Sequence, residues 1–210
     1  MLAGSHVSEV KDKWRWSFNA SGIFSTQSFK NLSYATDLQM RFISAKGCRW
    51  VPAKCNIFLW RAGLDRLPTR EALNKRNIAV DSSSCVFCNE ANESVDHLFT
   101  ACSTAHRVWY RLSVWIKMQP FFAFSVQDLA DIHKSYNGDK KAKEIVRGLI
   151  VVSYWCLWKN WNERIFANGR GSGDDIFREV KLLSFFWLKN RSSICNLDWE
   201  KWSKYPLYML

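Results

Sequence analysis

A chain of 210 residues with 48% apolar content, twelve Trp and fourteen Phe can bury a sizeable core and is too apolar to stay disordered. Its formal net charge of +11 calls for an anionic partner, nucleic acid being the commonest inside a cell, with plain solubility as the competing reading. The longest apolar run, Gly148 to Trp158, falls short of the roughly eighteen residues of a membrane span. Met1-Leu2-Ala3-Gly4-Ser5-His6 has no secretory pattern either, so an intracellular, reducing setting without a membrane is expected.

Residues 1–11 read as a loose leader. Trp14, Trp16 and Phe18 then alternate with polar residues, and Asn19-Ala20-Ser21-Gly22 supplies a turn before Ile23-Phe24-Ser25. That pattern predicts a small β-hairpin whose aromatic face serves as core or as a base-stacking surface. Ser25 is placed to cap a helix carrying Phe29, Leu32 and Leu38. After Pro52, apolar Cys55, Phe58, Leu59, Ala62 and Gly63 recur at helical spacing, and Gly63 and Pro68 end that helix. Thr69 caps a second helix with Ala72, Leu73 and Ile78 on its apolar side.

The positive charge concentrates here. Between Arg41 and Val80 stand nine cations (Arg41, Lys46, Arg49, Lys54, Arg61, Arg66, Arg70, Lys75, Arg76) against Asp65 and Glu71, seven of the eleven net charges. Two readings stay open, a solvated face and a surface that tracks phosphates. In the second, Arg49, Lys54, Arg61, Arg66, Arg70, Lys75 and Arg76 contact RNA or DNA.

Next comes Cys85-x2-Cys88, with His97 and Cys102 further along, a C-x2-C-x8-H-x4-C series. Three thiolates and an imidazole are the donor set of a closed, tetrahedral, structural zinc site, and four protein ligands leave no position for a reacting water. A reduced core cysteine cluster is the alternative. Cys48, Cys55, Cys156 and Cys195 lie among apolar neighbours and read as buried free thiols. His106, one turn past Cys102, reads as a surface residue.

Ala105, Val108, Trp109, Leu112, Trp115 and Ile116 mark an amphipathic helix entered at Cys102 and ended by Gln119-Pro120. Ser125 caps a segment from Val126 to His133, and Asn137-Gly138-Asp139 is a turn and an internal boundary. A long helix then runs from Lys140 to about Ala167, with Ile145, Leu149, Val152, Trp155, Cys156 and Trp158 as its apolar stripe. Lys140-Lys141-Ala142-Lys143 at its start reads as a solvated face or a weak nuclear-import run. Gly169 to Gly173 is a flexible link. Asp174 is expected to cap a last helix to Arg191 with Ile176, Phe177, Val180, Leu183, Phe186 and Trp187 inward, and the Trp199 to Trp202 tail shows no period.

Several of these stretches together resemble one family. Trp14-Arg15-Trp16, Gly22-Ile23-Phe24-Ser25, Trp50-Val51-Pro52-Ala53-Lys54-Cys55-Asn56-Ile57-Phe58-Leu59-Trp60-Arg61, Leu67-Pro68-Thr69-Arg70, the Cys85, Cys88, His97, Cys102 series, Glu93-Ser94 and Trp109 are similar to the zinc-binding domain of plant non-long-terminal-repeat (LINE-type) retrotransposon reverse transcriptases. The segment Trp155-x2-Trp158-Lys159-x3-Asn162-Glu163-Arg164-Ile165-Phe166 resembles the region downstream of that domain in such open reading frames. The resemblance implies one structural zinc held by Cys85, Cys88, His97 and Cys102. It also implies an accessory module that grips template RNA or target DNA beside a polymerase domain, with the nucleus as the place of action. Docking on the polymerase without touching nucleic acid is the second reading.

A reverse transcriptase needs an adjacent carboxylate pair in a Tyr-x-Asp-Asp-like turn, and Tyr34-Ala35-Thr36-Asp37 lacks it. Asp174-Asp175 is adjacent but opens a helix, so no catalysis by this chain is expected. The predicted fold is therefore mainly α with a small N-terminal β-hairpin, a zinc-stabilised helical domain over residues 12–118, a connection over 119–139, and a C-terminal helical pair over 140–210.

Overall fold

The computed structural model describes residues 15–17, 19–28, 47–194 and 196–210. Expectations for the leader, for Trp14, Phe18, Phe29, Leu32 and Leu38, for Arg41 and Lys46, and for Cys195 lie outside them. The chain divides into two units, Met1–Arg41 and Phe42–Leu210.

In the first unit the predicted hairpin is not formed, and no β-strand occurs among the described residues. The Trp16 N–H donates to the Gly22 carbonyl (2.8 Å), and the Gly22 N–H to the Asn19 carbonyl (2.9 Å), so the chain closes on itself as a turn. Trp16 and Phe24 meet edge to face at 5.0 Å. Trp16 thus meets Phe24 ring to ring across a loop, and a lone two-stranded ladder would have little to hold it. Ser25 does cap as expected, accepting from the Ser28 N–H at 3.1 Å.

The second unit is helical. Helix α1 (Ala53–Gly63) buries Cys55, Phe58, Leu59 and Ala62, while Gly63 is exposed. Helix α2 (Arg70–Asn74) starts at Thr69, whose hydroxyl accepts from the Ala72 N–H. It stops early because Asn77 takes a left-handed φ of 57° and the Ile78 N–H turns back to the Leu73 carbonyl. Ile78, expected on the apolar face, is therefore exposed. Helix α3 (Ser103–Trp115) buries every position its periodicity marked, Ala105 through Ile116. Helix α4 (Val126–Asp131) begins in a capping box between Ser125 and Asp128 and runs into a 3₁₀ turn, Ile132–Ser135.

Helix α5 (Lys140–Phe166) is the axis of the unit. The Asp139 carboxylate accepts from the Ala142 N–H at 2.7 Å and starts it. Every residue from Gly148 to Tyr154 is buried, so its middle turns are covered on all sides rather than along one stripe. Helices α1, α3 and α4 and helix α6 (Gly173–Arg191) supply the cover. The six-residue link between α5 and α6 makes them antiparallel neighbours, pinned by Lys159 and Asn160 on Glu179.

Helix α6 departs from expectation in two places. Its cap is Ser172, in a capping box with Asp175, and Asp174 instead pairs with Arg107 (3.1 Å) and Arg111 (2.7 Å) of α3. Phe186 is exposed, the inward positions in that turn being Ser184 and Leu188. The tail forms helix α7 (Trp199–Lys204), capped by Asp198. Its Trp202 is fully buried against Trp115, accepts that ring's N–H at its carbonyl and donates its own to the Lys181 carbonyl.

A close approach in the core joins Trp50 to α5. A Cβ on Gly148 would lie 2.0 Å from Trp50 Cζ2, so the indole, itself only 4% exposed, occupies the space of the missing side chain. Helix propensity alone predicts that Gly148→Ala stabilises by about 1 kcal/mol. The packing reverses the sign: we expect a net loss of about 1–3 kcal/mol, read as a Tm several degrees lower in thermal unfolding.

Candidate metal centre

Cys85 and Cys88 sit on a turn closed by backbone bonds. The Cys85 N–H donates to the Ala91 carbonyl (2.8 Å), the Asn89 N–H to the Cys85 carbonyl (2.9 Å), and Asn89 takes a φ of 61°. Ser84 and Asn92 pair as an isolated bridge behind it. Of the other two ligand candidates, His97 opens a π-helical turn, His97–Ala101, and Cys102 closes it, its N–H donating to the His97 carbonyl at 2.8 Å. An i to i+5 bond widens the helix to just over four residues per turn, which brings residues five apart towards one face where an α-turn would splay them. Trp109 supports the widened turn by donating its indole N–H to the Phe99 carbonyl at 2.7 Å.

The four ligand atoms of Cys85, Cys88, His97 and Cys102 lie within 4.8 Å of one another. Cys85 Sγ and Cys102 Sγ are 3.9 Å apart, and Cys88 Sγ and His97 Nε2 are 3.3 Å apart. A tetrahedral zinc site has S–S and S–N edges of roughly 3.8 and 3.6 Å, so the donors already sit near the corners it requires. The Cys102 thiol is drawn below its ordinary value by its contact with the Cys85 thiol and by the Ala105 and Thr104 N–H groups opening α3, against the effect of burial. The same contact and burial push Cys85 upward. With three sulfurs and one imidazole the set suits one zinc ion, which when bound cross-links the turn to the start of α3.

The remaining cysteines behave differently. Burial pushes Cys48 and Cys55 up to about 12, and Cys156 well above its ordinary value. They are protonated core thiols, inert by comparison. His106 is exposed and takes no part in the cluster.

Two residues that brace the knuckle had no assigned role in the sequence. Glu93 is fully buried, and its carboxylate accepts from the Arg70 N–H (3.1 Å) and the Val86 N–H (3.0 Å), joining the start of α2 to the Cys-x2-Cys turn. Arg164, near the end of α5, donates to the Val86 carbonyl (3.2 Å) and the Gly171 carbonyl (2.8 Å) and lies over the Phe87 ring at 5.0 Å. Both act on backbone groups, which leave no complementary charge elsewhere in the sequence to betray them.

The seven basic residues proposed as nucleic-acid contacts do not form one array of unengaged charges. Lys54 lies over the Trp155 ring at 4.9 Å, Arg61 donates to the Arg66 carbonyl, Arg70 donates to the Ser84 carbonyl at 2.7 Å, and Lys75 pairs with Glu71 at 2.7 Å. Arg49, Arg66 and Arg76 are exposed and have no ion pair among the described residues.

Fold and site together define a helical protein organised on a Cys3His metal centre. Residues 24–109 match the family model for zinc-binding in reverse transcriptase, a span that contains all four ligands and ends within α3. No curated protein and no solved structure matches the chain. No helix among the described residues is long and apolar enough to cross a membrane.

Glu93→Gln replaces one accepting oxygen of a buried carboxylate with an amide donor facing a half-buried N–H. The expected cost is about 2–4 kcal/mol in denaturant unfolding of the zinc-loaded protein. Zinc should also transfer more readily to a chelator, because the turn carrying Cys85 and Cys88 loses its anchor.

Proposed function

We propose that this chain is a zinc-structured nucleic-acid-binding module that accompanies the polymerase domain of a reverse transcriptase, of the kind carried by plant LINE-type retrotransposons. The observation that carries the reading is the Cys3His set lying inside the reverse-transcriptase zinc-binding match. A net charge of +11 adds the electrostatic term for a phosphate backbone. The closed donor set argues for a metal that holds structure, so the module binds and positions while the chemistry belongs to the polymerase. Action on RNA or DNA in the nucleus follows from that context.

A second reading, docking on the polymerase without nucleic-acid contact, draws on exposed apolar residues. Leu182 and Phe186 stand one turn apart on the outer face of α6 at 55% and 60% exposure.

Elemental analysis of protein purified without added metal should give one zinc per chain, and Cys88→Ser should lose it. The zinc form should bind RNA or DNA with affinity falling about tenfold or more between 50 and 200 mM salt. Negligible, salt-independent binding by the folded zinc form, with tight binding to a polymerase fragment, would replace this reading with the docking one.

A further inference from the structure

A groove of about 860 Å³ opens where the loop before α1, the start of α5 and the end of α6 meet. Its rim carries Arg49, Lys140, Lys141, Arg147 and Arg191 against Asp139 and Glu144. Asp139 caps α5, and Glu144 lies 3.9 Å from Arg147. Arg49, Lys140, Lys141 and Arg191 are exposed and have no ion-pair partner among the described residues. Four unengaged cations from three separate segments therefore surround one depression. Its base is apolar, closed by Trp50, Ile145, Leu188 and Ile194. A second depression of about 440 Å³ shares Lys140 and Glu144 with the first and adds Lys143, and Lys134, which pairs with Asp131 at 2.8 Å, so the basic track runs on past the groove through Lys143.

Mutual repulsion among cations held this close is relieved by an anion, and the extended track suits a polymer of phosphates more than a single one. An apolar floor under a charged rim suits unpaired bases, which stay available in a single strand and are stacked away in a duplex. Ile194 is its half-buried member, with Trp50, Ile145 and Leu188 buried beneath, so the contact is apolar packing rather than ring stacking. The basic stretch before the metal ligands is less apt, since Lys54, Arg61, Arg70 and Lys75 are engaged within the protein.

We propose that this groove, outside the metal centre and largely outside the family match, is where the protein holds a single-stranded polynucleotide, with Lys140, Lys141, Arg49 and Arg191 on its phosphates. The proposal rests on the nucleic-acid-binding reading above. It also gives the Lys140-Lys141-Ala142-Lys143 run a role as a phosphate contact.

The test is fluorescence anisotropy of the zinc-loaded full chain with a labelled 15-residue oligouridylate at low salt, with a duplex of equal length as competitor. Lys140→Glu with Lys141→Glu places acid in the first turn of α5, which favours the helix, so lost binding would not reflect unfolding. Unchanged zinc content and circular dichroism check this. The expected result is a Kd raised about tenfold or more by that pair, with a smaller loss for Arg191→Gln and little change for Arg66→Glu with Arg76→Glu. Normal binding by the Lys140/Lys141 variant, with loss in the Arg66/Arg76 variant, would overturn the groove and leave the nucleic-acid-binding function standing. A duplex that competes as well as the single strand would overturn the single-strand assignment. Absence of binding by the parent protein would overturn both the groove and the function.

Discussion

A helix that is apolar on every side must be covered on every side, and the middle of α5 imposes that condition on the Phe42–Leu210 unit. Residues 148 to 154 are all buried, and each neighbour meets the helix through a specific fit. Trp50 lies in the gap left by Gly148. Tyr154 packs against Phe99 of the π-turn and Trp109 of α3 at about 5 Å from each, and its hydroxyl donates to the Val126 carbonyl at the start of α4. Phe58 of α1 bridges Phe99 and the Trp155 and Trp158 rings of α5. The same helix ends in Arg164, which reaches the backbone between the first two cysteines.

The metal centre is consequently held from two directions. Locally, the turn at Cys85 and Cys88 and the π-turn at His97 aim four donors at one point. From further away, Glu93 fixes the knuckle to α2, and Asp96 accepts from the Val126 N–H at 3.0 Å to fix the π-turn to α4. Four soft and borderline ligands with no open position make the ion a cross-link, so its effect is to tie α3 to the knuckle rather than to activate a substrate.

Charge is distributed less simply than its sequence density suggests. Arg70 and Lys54, in the most basic stretch, brace the knuckle and cover an aromatic ring, and Arg107 and Arg111 hold Asp174 on the facing helix. Arg49, Lys140, Lys141 and Arg191 come from segments far apart in the chain, and they meet only because α5 and α6 lie antiparallel with the Arg49 loop beside their ends.

By itself the sequence determined the ligand set, the inward face of α3 and the main helices, because donor spacing and a 3.6-residue period are local properties that survive without any tertiary context. Ile78 and Asp174 were misread where a turn or a partner helix overrode the local pattern. The predicted hairpin failed because a lone two-stranded ladder has little to hold it, and alternation does not register that. Tertiary structure alone decided the burial of Trp202, the clamps of Glu93 and Arg164 and the basic groove, since each joins groups distant in the chain. Many of those contacts end on backbone N–H and carbonyl groups, which every residue carries and no sequence pattern distinguishes.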